Sequence, residues 1–169
     1  MLNGFDISSN DGSAILITGA DEVTLTLMTG TENSIQDSSP YFEENANVDV
    51  RSNGAIFTSD DFAVNGGGSL TITTENKTGI LGKKDVLILD GTIQIESPRN
   101  GIKGNDLVYI AGGQTEIQAG TDGIESEDLV YMTDGTLDVL TSYEGIEALD
   151  IIIDGGAISI QASDDGVNI

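Results

Sequence analysis

Apolar residues in this chain come in short alternating bursts, and the bursts recur. A Gly followed by an aliphatic residue stands at Gly79-Ile80, Gly101-Ile102, Gly123-Ile124, Gly145-Ile146 and Gly166-Val167, at intervals of 22, 22, 22 and 21 residues. Upstream, Gly54-Ala55-Ile56 reads as a longer version and Ser34-Ile35 as a degenerate one. An Asp then opens an aliphatic stretch at Asp61-Phe62, Asp85-Val86, Asp106-Leu107, Asp128-Leu129 and Asp150-Ile151. A Gly-containing turn follows. It leads into an alternating run such as Thr92-Ile93-Gln94-Ile95 or Gln114-Thr115-Glu116-Ile117.

Alternation with period 2 between Gly, Asp and Asn turns predicts three short strands per repeat. No window carries a capped helical pattern. A unit of this size cannot bury its apolar face alone, so the units must stack. The expected fold is all-β: a right-handed, single-stranded parallel β-helix with about 22 residues per coil. Stacking at about 4.8 Å sets like residues over like. The inward columns then read Ile80-Ile102-Ile124-Ile146-Val167, Val86-Val108-Val130-Ile151, Ile88-Ile110-Met132-Ile153 and Ile95-Ile117-Val139-Ile160.

Residues 1–169 read as one domain with irregular early coils, in which Ile15/Ile17 and Val23/Leu25/Leu27 are strands. Residues 37–47 break the period and read as an inserted loop. The last turn, Gly166-Val167, has no polar cap after it, and a bare strand edge invites pairing. Further coils are therefore expected in a longer, secreted parent protein. Met1 to Asp6 lacks the basic start and apolar stretch of a signal peptide.

Charge narrows the chemistry. Asp plus Glu number 29 against 6 Lys plus Arg, a formal net charge of −23. Nucleic acid is excluded as a partner, because little here could neutralise a row of phosphates. An anionic membrane surface is excluded for the same reason, and no apolar run is long enough to span a bilayer. With no Cys and no His, any bound metal is held by oxygen. That favours hard cations, Ca²⁺ before Mg²⁺.

Two columns flank the Gly-Ile turn. Before Gly stand Asn53, Thr78, Asn100, Asp122, Glu144 and Asp165; after Ile stand Phe57, Leu81, Lys103, Glu125, Glu147 and Asn168. Together with the Asp column, stacking collects Asp106, Asp122, Glu125, Asp128, Glu144, Glu147, Asp150 and Asp165 as candidate Ca²⁺ ligands, with Asp164 beside them. Two carboxylates ~4.8 Å apart repel by roughly 3–4 kcal/mol at an effective dielectric of 20. They must splay into water, hold protons or take up a cation. The competing reading is a set of solvated turn residues, or an Asp ladder bonding turn amides.

Lys84, Arg99 and Lys103 fall near the same corner, with Lys83, and are candidates for contact with an anionic ligand or for salt bridges to the acids. Tyr109 and Tyr131 fall on an outward column with Leu87 and Ile152, where they either carry sugar rings or simply stack across strands.

Several stretches carry a family likeness: Gly30 to Ser34, Ser59 to Ile72, Ser142 to Ala148 and Gly155 to Asn168. They resemble secreted bacterial carbohydrate-binding β-helix proteins, the pectin (polygalacturonate) binders of cellulolytic anaerobes. The resemblance implies a fold akin to pectate lyases, several bound Ca²⁺ ions, and an acidic plant polysaccharide as partner, bound without cleavage outside the cell or at its surface. Two other functions compete. One is a Ca²⁺-dependent polysaccharide lyase with Lys83, Lys84 or Lys103 as base. The other is a structural β-helix segment of a surface adhesin.

Overall fold

The computed structural model describes residues 1–42 and 53–169, and every regular element among them is a strand. Twenty short strands form three parallel sheets of seven, seven and six. Each coil contributes one strand to each sheet, except the last, which contributes to the first two. Thr92–Ser97 belongs to the first sheet, Ile102–Gly104 to the second and Leu107–Ile110 to the third, before Gln114–Ala119 returns to the first. This is a parallel β-helix, as the periodicity predicts.

The four inward columns stand in register. Ile80, Ile102, Ile124, Ile146 and Val167 pair in sequence in the second sheet. Val86, Val108, Val130 and Ile151 do so in the third, alongside Ile88, Ile110, Met132 and Ile153. Ile95, Ile117, Val139 and Ile160 do so in the first. Ile80, Ile88, Ile102, Val108, Ile117 and Ile124 are completely or almost completely buried and belong to the core, while Val167 and Ile153, last in their columns, are exposed. Burying each such side chain stabilises the fold by roughly 1.5–3 kcal/mol.

Why Gly precedes each inward Ile is a matter of space. A Cβ on Gly101 would lie 2.4 Å from Ile117 Cγ2 and 2.7 Å from the Gly123 carbonyl oxygen. Gly79, Gly123 and Gly145 meet the same two neighbours, an inward side chain and a backbone carbonyl, both of the next coil. Gly and Ile are thus both turned inward at this corner, so the residue before Gly and the one after Ile both face out.

Three expectations are corrected. Ser34-Ile35 is not a Gly-Ile turn: it lies in Glu32–Asp37 of the first sheet, with Ile35 opposite Ile72. The true predecessor in the second sheet is Ile15, opposite Ile56. Gly54 aligns with Thr78, so Asn53 lies outside the column before Gly. Asp37 is the last residue of a buried strand end, so the break in period begins after it. Residues 43–47 of the expected insertion lie outside the described residues.

The close fit of glycine is testable by contrast. Gly101→Ala should destabilise the fold by about 1–3 kcal/mol in denaturant melts, since backbone and a packed Ile must both give way. Gly166→Ala, where a Cβ meets nothing within 4 Å, should leave the melt almost unchanged.

Candidate functional site

Because Gly and Ile both point inward, the second sheet presents two outward columns side by side. They run from Thr78 and Leu81, through Asn100 and Lys103, to Asp122 and Glu125, Glu144 and Glu147, and finally Asp165 and Asn168. Lys103 lies opposite Glu125, Glu125 opposite Glu147 and Asp122 opposite Glu144. The face changes from neutral to cationic to acidic within a few coils.

At the acidic end, Asp122, Glu144 and Glu147 bring carboxylate oxygens to within 4.8 Å of one another, all three half-buried. Glu144 also belongs to a second group with the exposed Asp164 and Asp165. Asn168 Nδ2 donates to Glu144 Oε2 at 3.0 Å. Glu125 is engaged elsewhere: it pairs with the Lys103 ammonium and accepts a hydrogen bond from the Asn100 amide, whose oxygen accepts one from Thr121.

Burial and then the neighbouring Glu125, Glu147 and Glu144 push the Asp122 carboxyl up to about 6, with Lys103 opposing. Glu147 is pushed up as well, by burial first and then by Glu144 and Glu125. The group is short of positive charge in the way a cation would relieve. Its donors are all oxygen, and hard divalent ions accept such sets in loose geometry.

Asp106, Asp128 and Asp150 stand apart. They are exposed at the start of the third sheet and join neither acidic group. Nor is the expected Asp column continuous. Asp150 lies opposite Leu129, and Leu129 opposite Leu107, so Asp106 and Asp128 come one position earlier than Asp150 in the ladder. With a side-chain period of two, a one-residue offset sends neighbours to different sides. Asp61 and Asp85 keep step with Asp150, each immediately before the inward Phe62 and Val86. Burial, then Asp61 and Asp106, raise the Asp85 carboxyl.

Beside the acids, an open cleft of about 210 Å³ is lined by Tyr41, Asn53, Lys83, Arg99, Asn100 and Lys103, with Thr78, Leu81 and Glu125 completing it. It gathers three of the chain's six cationic side chains. Arg99 lies over the Tyr41 ring, its guanidinium carbon 3.3 Å from the centroid. Stacking uses the flat face of a guanidinium and leaves its in-plane N–H groups free to grip a carboxylate at two points. Tyr41 and Asn53 were not among the expected site residues. Both bound the segment that interrupts the repeat, where periodicity gives no register.

Lys84 lies outside the cleft and pairs with Asp60 at 3.3 Å. Tyr109 and Tyr131 lie on the third sheet, with ring centroids 5.3 Å apart and planes 20° from parallel. The rings turn their faces to each other along the stack. Their hydroxyls meet Thr133 at 2.9 Å and Asp154 at 2.8 Å, so this is a face separate from the cleft.

The family described as carbohydrate-binding domain-containing protein matches residues 1–169. This chain belongs to that family. A carbohydrate-binding domain-containing protein of Acetivibrio thermocellus is 32% identical over 97 residues, which are 57% of this chain and 34% of that protein. The chain therefore matches about a third of that relative's length. A solved structure described as a polysaccharide lyase-like protein from C. thermocellum, a gadolinium derivative, is similar with a TM-score of 0.86 and 28% identity. It covers 99% of this chain and 70% of that one. The carbohydrate-binding domain thus has a polysaccharide lyase-like fold.

The raised Asp122 carboxyl gives this carbohydrate-binding domain a pH dependence of definite sign. Folded Asp122 holds its proton more tightly than the unfolded chain, whose value is near 3.8. Stability is therefore greatest below pH 4 on this account and is lost as pH rises to about 6. In chelator, Asp122→Asn should stabilise the fold at pH 7 by on the order of 1–3 kcal/mol and have no such effect at pH 3.5, read from thermal melts.

Proposed function

We propose that this domain binds Ca²⁺ at Asp122, Glu144 and Glu147, and holds an acidic plant cell-wall polysaccharide of the polygalacturonate type without cleaving it. The observation that carries the reading is the adjacency on one sheet face of a half-buried, all-oxygen acidic group and a cleft rich in cations. A chain of net charge −23 repels polyuronates at a distance. It can hold one only where its positive charge is concentrated, and three of six cations meet in this cleft. A bound Ca²⁺ would add positive charge at the adjoining acids.

The donor set fits the ion. Three carboxylates within 4.8 Å supply hard oxygens, with Asp164 and Asp165 able to add to Glu144. The similar solved structure is a gadolinium derivative, and gadolinium is a hard ion that likewise takes oxygen ligands. Asp106, Asp128 and Asp150 are outside the proposed ligand set, and Glu125 serves to hold Lys103. On this reading the domain works outside the cell or on its surface, where polysaccharide and free Ca²⁺ are both present.

The lyase reading draws on the name of the structural neighbour and on the nearness of Lys83 and Lys103 to the acids. It demands a lysine free to accept a proton, whereas Lys103 is engaged as a donor to Glu125.

Millimolar Ca²⁺ should raise the melting temperature by ~5–10 °C at a hundredfold excess over Kd, and Glu144→Gln should abolish the rise. Calorimetric titration with polygalacturonate should show binding that Arg99→Ala weakens about tenfold, which is about 1.4 kcal/mol. No unsaturated uronide absorbance should develop. An unchanged melt in Ca²⁺ would remove the metal, and growing absorbance would replace binder by lyase.

A further inference from the structure

Lys77 lies outside both the acidic group and the cleft, in the turn between Ser69–Thr74 and Thr78–Gly82, and is completely buried. Its ammonium stands 3.6 Å from Oδ2 of the equally buried Asp37 and donates to Ser39 Oγ. The Ser39 hydroxyl and its backbone N–H both donate to Asp37 Oδ1, the latter at 2.8 Å. The Phe42 ring covers the ammonium at 5.9 Å. Burial pushes the Lys77 ammonium down in pKa, with Asp37 opposing. Buried ion pairs are a poor source of net stability, but they fix geometry closely, because every departure exposes an unpaired charge to an apolar surrounding.

What this pair fixes is the start of the segment that leaves the coil after Asp37. The far end of that segment is fastened too. The Asn53 side-chain amide donates to the Phe42 carbonyl at 2.8 Å, and the Phe42 N–H donates to Asn53 Oδ1 at 3.0 Å. Between the two fastenings stands Tyr41, with Arg99 on its ring.

We propose that Lys77 is a positioning residue for the ligand cleft: clasped by Asp37 and Ser39, it holds residues 38–42 so that Tyr41 presents Arg99 edge-on to an anionic sugar. Lys77 touches no ligand itself. The inference rests on the cleft being the carbohydrate site, and the test separates the two claims.

The chain has two arginines, Arg51 and Arg99, so the Arg99 Nε–H resonance is readily assigned in ¹⁵N-labelled protein. Lying over the Tyr41 face, it should be shifted upfield, and Tyr41→Leu should return it to the ordinary position. Lys77→Met alone would strand a buried carboxylate, so the variant of choice is Lys77→Met with Asp37→Asn, which removes both charges. In that folded double variant the resonance should move at least halfway back. Affinity for trigalacturonate should fall about tenfold, and the Ca²⁺-dependent rise in melting temperature should persist. An unmoved Arg99 resonance in the folded double variant overturns the proposal. If the unmodified protein binds no uronide, the proposed function fails, and the resonance still decides whether Lys77 sets the position of Arg99.

Discussion

At the corner where the first sheet gives way to the second, there is room for backbone and none for a Cβ. An inward side chain and a backbone carbonyl, both of the next coil, lie within 3 Å of where that atom would be on Gly79, Gly101, Gly123 and Gly145. This contact locks each coil against rotation relative to its neighbours. A shift of one residue would drive a side chain into that space and turn the inward Ile outward. The outward columns inherit the same register, so the placing of Lys103 over Glu125, and of Asp122 over Glu144, follows from a constraint inside the core.

Electrostatics on that face works against the fold. The parallel ladder holds half-buried carboxylates at strand spacing, and burial removes the water that would screen them. The rise of the Asp122 carboxyl to about 6 expresses that conflict. Glu125 pairs with Lys103 and Asn100, and Asp164 and Asp165 are exposed. The conflict is thus expressed at Asp122 and Glu147, two of the three residues proposed to hold the ion.

Much of this was legible in the sequence, for one reason: interior residues repeat at a fixed interval because the backbone ladder does. The columns through Ile102, Val108, Ile110 and Ile117 were readable directly, and so were Asp122, Glu144 and Glu147, which are fixed to Ile124 and Ile146 by one or two bonds of chain. Asp106, Asp128 and Asp150 do not share one column because they follow a turn. The Asp stands one residue before Val86 but two before Val108 and Val130, and the turn before Ile151 is a residue shorter than theirs. A column aligned by eye on Asp is therefore not one aligned by hydrogen bonds. Ser34-Ile35 misled in the opposite way, since a small residue before Ile also suits the alternating sheet. Tyr41, Asn53 and Lys77 were beyond reach, because each acts across the interruption and periodicity stops where the interruption starts.

That division bears on how such a face acquires specificity. The repeat supplies a straight strip on which any outward residue is copied at strand spacing, and a strip alone distinguishes ligands only by charge. Discrimination needs a wall that stands off the strip. Here the segment leaving the coil after Asp37 provides one, carrying Tyr41 across to Arg99 and closing against Asn53. Attaching an irregular segment to a regular scaffold requires a directional fastening, which apolar packing does not supply. A buried ammonium gripping one carboxylate and one hydroxyl does. The costly ion pair of Lys77 and Asp37 is thus placed where the solenoid departs from its own rule, one side chain away from the wall of the cleft.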